Sequence, residues 1–202
     1  MKEHGITFTP DNYARTEAEA KTQTRRIINP QPPFLCEYVI NGNQSHALCR
    51  AIADHNLFVP PTHKSKDHRL ACPFGTVGDR LYVKEGLAWD GSNIIYRLDK
   101  QPVIKPFMGG AYGWLWLRDT LSPIHMPRWA ARLWLELTGV RVERINEISY
   151  DDEGAEGVTL GTDCNDRHSG FIQLWESVNG TGSWNKNDWV WVLDFRKVDH
   201  EI

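Results

Sequence analysis

The sequence predicts an α+β domain: a mostly antiparallel, curved sheet or small barrel with helices at its rim. Three observations carry this expectation. Strand-like runs alternate with a few helical ones in the order strand, helix, strand, insertion, strands, insertion, long bent strand, two helices, strand. In the longest strand-like run the apolar residues change parity once, from Leu133, Leu135 and Leu137 to Val140 and Val142, so one extra residue near Thr138-Gly139 restores a common face. Phe171, Leu174, Trp175 and Val178 follow the i, i+3, i+4, i+7 spacing of an amphipathic helix.

Each element has its own signal. Ile6-Thr7-Phe8-Thr9 alternates and starts a strand. Pro10-Asp11 opens a short, mostly exposed helix over 12–20, with Asp11 as its cap. Thr22 to Ile28 reads as a strand, and Asn29-Pro30-Gln31-Pro32-Pro33 ends it because proline cannot donate to a ladder. Two stretches, about 34–75 and 98–124, lack a sustained period and are expected as irregular insertions over the core. Between them Val77-Gly78-Asp79 is a turn, Arg80 to Lys84 a strand ending at Glu85-Gly86, and Ile94 to Arg97 a shorter strand. Pro127 to Ala131 is a single helical turn with proline at its first position. The strand over 132–145 carries the parity switch, and a glycine-containing bulge there would bend it as a small barrel requires. Ser149 caps a short helix over 151–155, Asn179-Gly180 stops the helix over 168–178, and 188–196 is a closing strand.

Composition bounds the function. The chain of 202 residues fits one domain, 1–202, carrying both insertions. Apolar content of 41% and mean hydropathy of −0.49 are those of a soluble globular chain, and no apolar run approaches the ~20 residues of a membrane helix. The start, Met1-Lys2-Glu3-His4-Gly5, has no apolar signal core, so a cytoplasmic monomer with no membrane partner is expected. A net charge of −3 argues against a globally basic nucleic-acid binder and leaves only a local patch for such contacts. Nine tryptophans are many for this length, and Trp134, Trp175 and Trp191 sit in periodic apolar patterns that place them in the core. Tyr112, Trp114 and Trp116, between glycines, are read as a satellite cluster before a base-stacking platform. Cys36, Cys49, His63, His68 and Cys72 match no standard zinc spacing, so free thiols, no metal site and no cofactor are expected.

The chemistry concentrates in Lys21-Thr22-Gln23-Thr24-Arg25-Arg26. Strand alternation puts Thr22, Thr24 and Arg26 on one side and Gln23, Arg25 and Ile27 on the other. No ordinary buried strand carries so many polar heads. Either this is a solvated edge, or it lines a polar pocket for something anionic, since arginine forks suit phosphate or carboxylate. Arg25 and Arg26 are equally read as partners of a structural carboxylate such as Glu85 or Asp79. A lysine desolvated beside cations loses its proton more easily and can take one from a threonine hydroxyl. Lys21 and Thr24 are three apart, which in a regular strand sets them on opposite faces, so Lys21 must precede the strand or the strand must bend.

Lys21-Thr22-Gln23-Thr24-Arg25-Arg26, Gly78-Asp79-Arg80-Leu81-Tyr82-Val83-Lys84-Glu85, Pro127-Arg128-Trp129-Ala130, Ala155-Glu156-Gly157-Val158 and Trp189-Val190-Trp191-Val192-Leu193-Asp194-Phe195 together resemble the ASCH domain family, in its long bacteriophage and prophage version. The resemblance implies a PUA-like fold, a small curved β-barrel with helices at its mouth. One branch of that family removes acyl groups from N4-acylcytidine without a metal, and other members are suspected RNA binders. The amidohydrolase branch uses a lysine and a threonine of a Lys-Thr-x-Thr-type motif and a later glutamate, which map onto Lys21, Thr24 and Glu156. The implied activity is an amidohydrolase acting on a small nucleoside or modified base, with Thr22, Arg25, Arg26, Glu85 and Arg128 around the substrate. The alternative is a non-catalytic reader of single-stranded RNA or modified nucleic acid.

Overall fold

The computed structural model describes residues 1–31, 36–41, 44–49, 68–103, 117–158 and 164–199. Mixed α and β content is as expected. The strands are β1 (Glu3–Thr7), β2 (Gln23–Ile27), β3 (Cys36–Asn41), β4 (Gln44–Cys49), β5 (His68–Ala71), β6 (Arg80–Lys84), β7 (Leu87–Trp89), β8 (Ile94–Tyr96), β9 (Thr120–Leu121), β10 (Trp134–Arg144) and β11 (Trp189–Val198). The α-helices are α1 (Pro10–Glu17), α2 (Tyr150–Ala155) and α3 (Cys164–Asn179). The turn expected at Pro127 is a 3₁₀ turn, Arg128–Ala130, flanked by Pro127.

The main sheet has the order β1-β6-β10-β11-β2, with β1 parallel to β6 and the other pairs antiparallel. All four strands expected to share one curved sheet do so. Among the described residues no ladder joins the edge strands β1 and β2, so the sheet is open. It curls far enough for Arg26 Nη2 on β2 to donate to the Thr7 carbonyl on β1 at 2.6 Å. The second sheet, β3-β4-β5, lies within the stretch expected to be irregular. The signal overlooked there is the dipeptide Gly42-Asn43 between two short strand-forming runs, a hairpin signature. The third, β8-β7-β9, includes β7, a strand that the sequence reading did not assign. The aromatic run at Tyr112, Trp114 and Trp116 lies outside the described residues.

The bulge falls where the parity switch puts it. Leu137 pairs with Phe195 and Gly139 with Asp194, leaving Thr138 as the extra, exposed residue. Leu133, Leu135, Leu137 and Val140 consequently all enter one core with Leu81, Val83, Ile6 and Leu193. Strand β11 is buried on both faces: Trp189, Trp191, Leu193 and Phe195 enter that core, while Val190 and Val192 pack with Phe171 and Trp175 of α3. This double burial explains its unbroken apolar run. The expected core tryptophans Trp134, Trp175 and Trp191 are all buried.

Helix ends differ in detail from expectation. Thr9, not Asp11, caps α1 by accepting from Asn12 N at 3.3 Å, and Pro10 takes the first turn. Ser149 caps α2 as expected, accepting from Asp152 N at 3.2 Å. α3 begins at Cys164, four residues before the helix start expected at 168, and ends at Asn179, with Gly180 at φ 95° supplying the left-handed exit.

Gly139 sits at the bulge because a side chain there has no space. A Cβ would lie 2.4 Å from Asp194 Oδ2. Gly139→Ala is therefore expected to displace Asp194 and destabilise the fold by about 1–3 kcal/mol, the usual cost of overpacking. Urea unfolding at pH 7 measures this; an unchanged midpoint would show that Asp194 moves aside freely.

Candidate active site at the end of helix α2

β2 is placed so that its two faces meet different surroundings. Thr24 and Arg26 stand in register with Leu193 and Trp191 and share their face, with the Arg26 guanidinium 5.5 Å from the Phe8 ring. Gln23 and Arg25 stand on the other face, in register with Asp194 and Val192, beneath α2. The alternation read from sequence is thus observed. Lys21 precedes β2, in the connection from α1, where its backbone N–H donates to Arg15 O at 3.1 Å. That position removes the conflict with the three-residue spacing.

α2 ends at Glu156, and Gly157 follows at φ 86°. Its position leaves no room for a larger residue, since a Cβ there would meet Lys21 Cβ at 3.1 Å. Lys21 Nζ donates to the Glu156 carboxylate at 2.5 Å and to the Glu156 carbonyl at 2.9 Å. Arg15 Nη1 donates to the next carbonyl, Gly157 O, at 3.0 Å. Two cations thus satisfy the open carbonyl end of α2, where they also complement the helix dipole.

Glu156 is held from its other oxygen by Arg25 Nη1 at 3.3 Å. The Arg25 side chain is fully buried and is surrounded by acceptors: Gln23 Oε1 at 2.5 Å, Asp152 Oδ2 at 3.0 Å and Glu143 Oε1, which is 2.9 Å from Nε and also bonded by Nη2. Gln23 Nε2 continues the network to Asp152 Oδ1 at 2.9 Å and Asp194 Oδ1 at 2.6 Å. Arg141 closes it with 2.8 Å contacts to both Asp194 and Asp152. The sequence reading missed Gln23, Arg141, Glu143, Asp152 and Asp194 as members of this network. The available signal was the alternation of charged Arg141 and Glu143 with apolar Val140 and Val142 along β10.

Electrostatics follow from this packing. Burial pushes Lys21 below the ordinary lysine range; Glu156 opposes that, and Arg26 and Arg25 add to it. The sequence reading named both desolvation and the neighbouring arginines, and burial is the larger cause. Burial likewise lowers Arg26, opposed by Glu156. Burial works to raise the Asp152 carboxyl, but the Gln23 hydrogen bond and the charges of Arg141 and Arg25 hold it below its usual value.

A cavity of about 60 Å³, open on one side, lies between β2, the end of α2 and α3. Thr24, Arg26, Glu156, Phe171, Leu174 and Trp175 line it, among others. Lys21, Thr24 and Glu156 are therefore brought together: two at the cavity wall, the third bonded behind Glu156. Arg25 and Arg26 also reach it.

Three other expected site residues are not part of this wall. Thr22 is exposed, and its backbone joins Ala155 O to Phe195 N, tying α2 to β11. Glu85 is buried in a bidentate pair with Arg132, at 2.9 and 2.7 Å, and this cluster raises Tyr13 and pushes Tyr96 up to about 12, in both cases chiefly by burial. Arg128 pairs with Glu3 and lies 5.1 Å from the Trp134 ring. The carboxylates read as partners of the tandem arginines are also reassigned. Asp79 accepts from Lys2 N at 2.6 Å and Thr76 N at 3.1 Å, and Arg25 takes Glu143, Asp152 and Glu156 instead. Among the described residues no group of three His, Cys, Asp or Glu side chains forms a metal site, and no helix is long and apolar enough to cross a membrane. Cys72 is a buried free thiol, pushed up to about 11 by burial.

Asp152→Asn removes one carboxylate from a fully buried guanidinium, which should cost about 1–3 kcal/mol at pH 7. A carboxyl whose folded value is depressed stabilises above its unfolded value and loses that contribution as pH falls through the folded one. The gap between wild type and variant should accordingly close in acid. Urea unfolding at pH 7 and pH 3 tests this, and an equal gap at both would refute the coupling.

No family model matches the chain, and neither a curated protein nor a solved structure matches it.

Proposed function

We propose that this chain is a metal-independent amidohydrolase of the ASCH type, removing acyl groups from N4-acylated cytosine nucleosides or a related modified base. The observation that carries the reading is that Thr24 and Glu156 line one small cavity, with Lys21 Nζ, outside the wall, 2.5 Å from Glu156 Oε2. The close approach of edge strands β1 and β2 supports a PUA-like, barrel-derived fold for the domain.

The chemistry is a two-stage acyl transfer. Thr24 Oγ bonds to the acyl carbon while its proton passes to neutral Lys21, and the carbonyl electron pair moves onto oxygen. The tetrahedral adduct collapses by breaking the C–N4 bond, and the departing nitrogen takes a proton from Glu156. Water then hydrolyses the Thr24 ester, releasing the carboxylic acid and restoring the hydroxyl. Burial favours the neutral lysine that the first step needs. The proton that Lys21 takes from Thr24 reaches the departing nitrogen through the Glu156 carboxylate, 2.5 Å from Lys21 Nζ, so both groups end the first stage as they began. A space of 60 Å³ admits about four water-sized groups, which suits the acyl end of a substrate and leaves the nucleoside outside.

Absorbance of N4-acetylcytidine reports the reaction. Thr24→Val keeps the volume and strand preference of the residue and should lower turnover roughly 10²–10⁴-fold with the melting temperature nearly unchanged. Lys21→Arg keeps the charge but cannot act as a base and should be as inactive. Near wild-type rates in Thr24→Val would overturn the mechanism. A wild type that turns over no acylated cytosine would overturn the activity and favour a non-catalytic reader of RNA or modified nucleic acid.

A further inference from the structure

The cavity lies along the free edge of the main sheet. β2 is the last strand in the order β1-β6-β10-β11-β2 and, among the described residues, pairs only with β11. Thr24 and Arg26 belong to one face of β2, whereas Ile27 packs with Phe171 and Trp175 on the other, and both sets line the same cavity. A space bounded by both faces of an edge strand lies beside that strand's unpaired main chain. Pairing parity says which peptide groups point into it. Thr22 O accepts from Phe195 N at 2.9 Å, and Ile28 N donates to Trp189 O at 3.0 Å. Thr24 and Arg26, of the same parity, therefore turn their peptide groups toward β11. Arg25 turns its N–H and C=O outward, and among the described residues that N–H has no bonded partner. The Arg25 side chain has no solvent exposure, yet the residue is 5% exposed and belongs to the cavity wall. What Arg25 presents to the cavity is therefore its main chain.

Resting on the amide-hydrolysis reading, we propose that the Arg25 main-chain N–H is the oxyanion donor of this site, receiving the acyl oxygen as Thr24 attacks. Covalent geometry sets the distance. Thr24 Oγ and Arg25 N are four bonds apart, so the N–H stays within about 5 Å of the attacking oxygen in any rotamer. An acyl carbon bonded to that oxygen can bring its own oxygen into hydrogen-bonding reach of the N–H. The main-chain N–H of the residue after the nucleophile has this role in an unrelated acyl-transfer fold. The carbonyl electron pair moves onto oxygen in the adduct, where the N–H holds it, and returns as the C–N4 bond breaks. The donor is fixed beforehand by the β2–β11 ladder and by the Arg25 side chain, anchored to Glu143, Asp152 and Glu156. A donor preorganised in this way stabilises developing charge more than the neutral carbonyl, so its removal should fall on kcat rather than KM.

The test deletes the N–H and leaves every side chain in place. A synthetic peptide of residues 1–35 is ligated as its thioester to expressed 36–202 at the natural Cys36, which gives the full chain. In one version the Thr24–Arg25 amide is an ester, made with the α-hydroxy analogue of arginine. In a second, the Arg26–Ile27 amide is an ester. Ile27 also turns its N–H outward, but it lies too far along the strand from Thr24 to meet the adduct. Each ester weakens one carbonyl that faces β11, so the second controls for the first. With N4-acetylcytidine as substrate, the Arg25 ester should lower kcat about 10²–10³-fold relative to the all-amide chain, the usual loss of one oxyanion donor. KM should stay within about threefold, and the Ile27 ester should keep kcat within the same margin. Equal kcat in the Arg25 ester and in an active all-amide chain would overturn the assignment and leave the proposed activity standing. An equal fall in the two esters, or a fall matched by loss of folded protein on melting, would also overturn it, as a weakening of the sheet. No turnover by wild type would overturn both.

Discussion

The buried guanidinium of Arg25 is the constraint around which the site is arranged. A charge with no solvent exposure must be matched within hydrogen-bonding reach or the strand carrying it cannot be buried. Here the match comes from two elements: Glu143 on β10, and Asp152 and Glu156 on and at the end of α2. A six-residue helix has little stability of its own. α2 is fixed by being drawn onto β2 through these carboxylates, and from the other side by Lys21 and Arg15 at its carbonyl end. The three cations Lys21, Arg25 and Arg141 pair with the four carboxylates Glu143, Asp152, Asp194 and Glu156. Such a cluster is a poor source of net stability compared with an apolar core of the same volume. Its clear consequence is geometric: it sets the Glu156 carboxylate between a buried lysine and an open cavity.

The bulge in β10 belongs to the same arrangement. Without the extra residue at Thr138, every later side chain of the strand would change faces. Val140 would leave the core, and Arg141 and Glu143 would enter it. With it, Arg141 and Glu143 face α2, and Gly139 leaves space for Asp194 to lie over the strand. Asp194 then accepts from Gln23 and Arg141, tying β2, β11 and β10 together on the polar face. A single inserted residue thereby sorts one long strand into an apolar inner row and a charged outer row.

How much of this was legible in the sequence depends on whether the signal was local. The parity switch at 137–140, the Ser149 cap and the stripe at 171–178 are local patterns, and each appears in the structure where the pattern put it. The alternation of β2 was equally local, and of the two ways left open for Lys21 the structure takes the one in which it precedes the strand. Which carboxylate meets which arginine was not local. Glu85 and Asp79 were reasonable partners by type, yet each is engaged elsewhere, with Arg132 and with the N-terminal backbone. The partners actually used lie more than a hundred residues away in sequence and are selected by sheet order, which strand patterning alone does not give.

Lys21 looks at first like a purely structural residue, since it caps α2 and pairs with Glu156. The two roles are compatible because of where the proton resides. As an ammonium it has three donors, two of them used by Glu156. As an amine it keeps donors for those same contacts and gains a lone pair. Burial moves the balance toward the amine, and the nearby guanidiniums move it further, while Glu156 pulls the other way. A lysine held between these opposing influences keeps the same contacts in either protonation state, as the proposed general-base role requires. That is the property a general base needs when it is also part of a helix terminus.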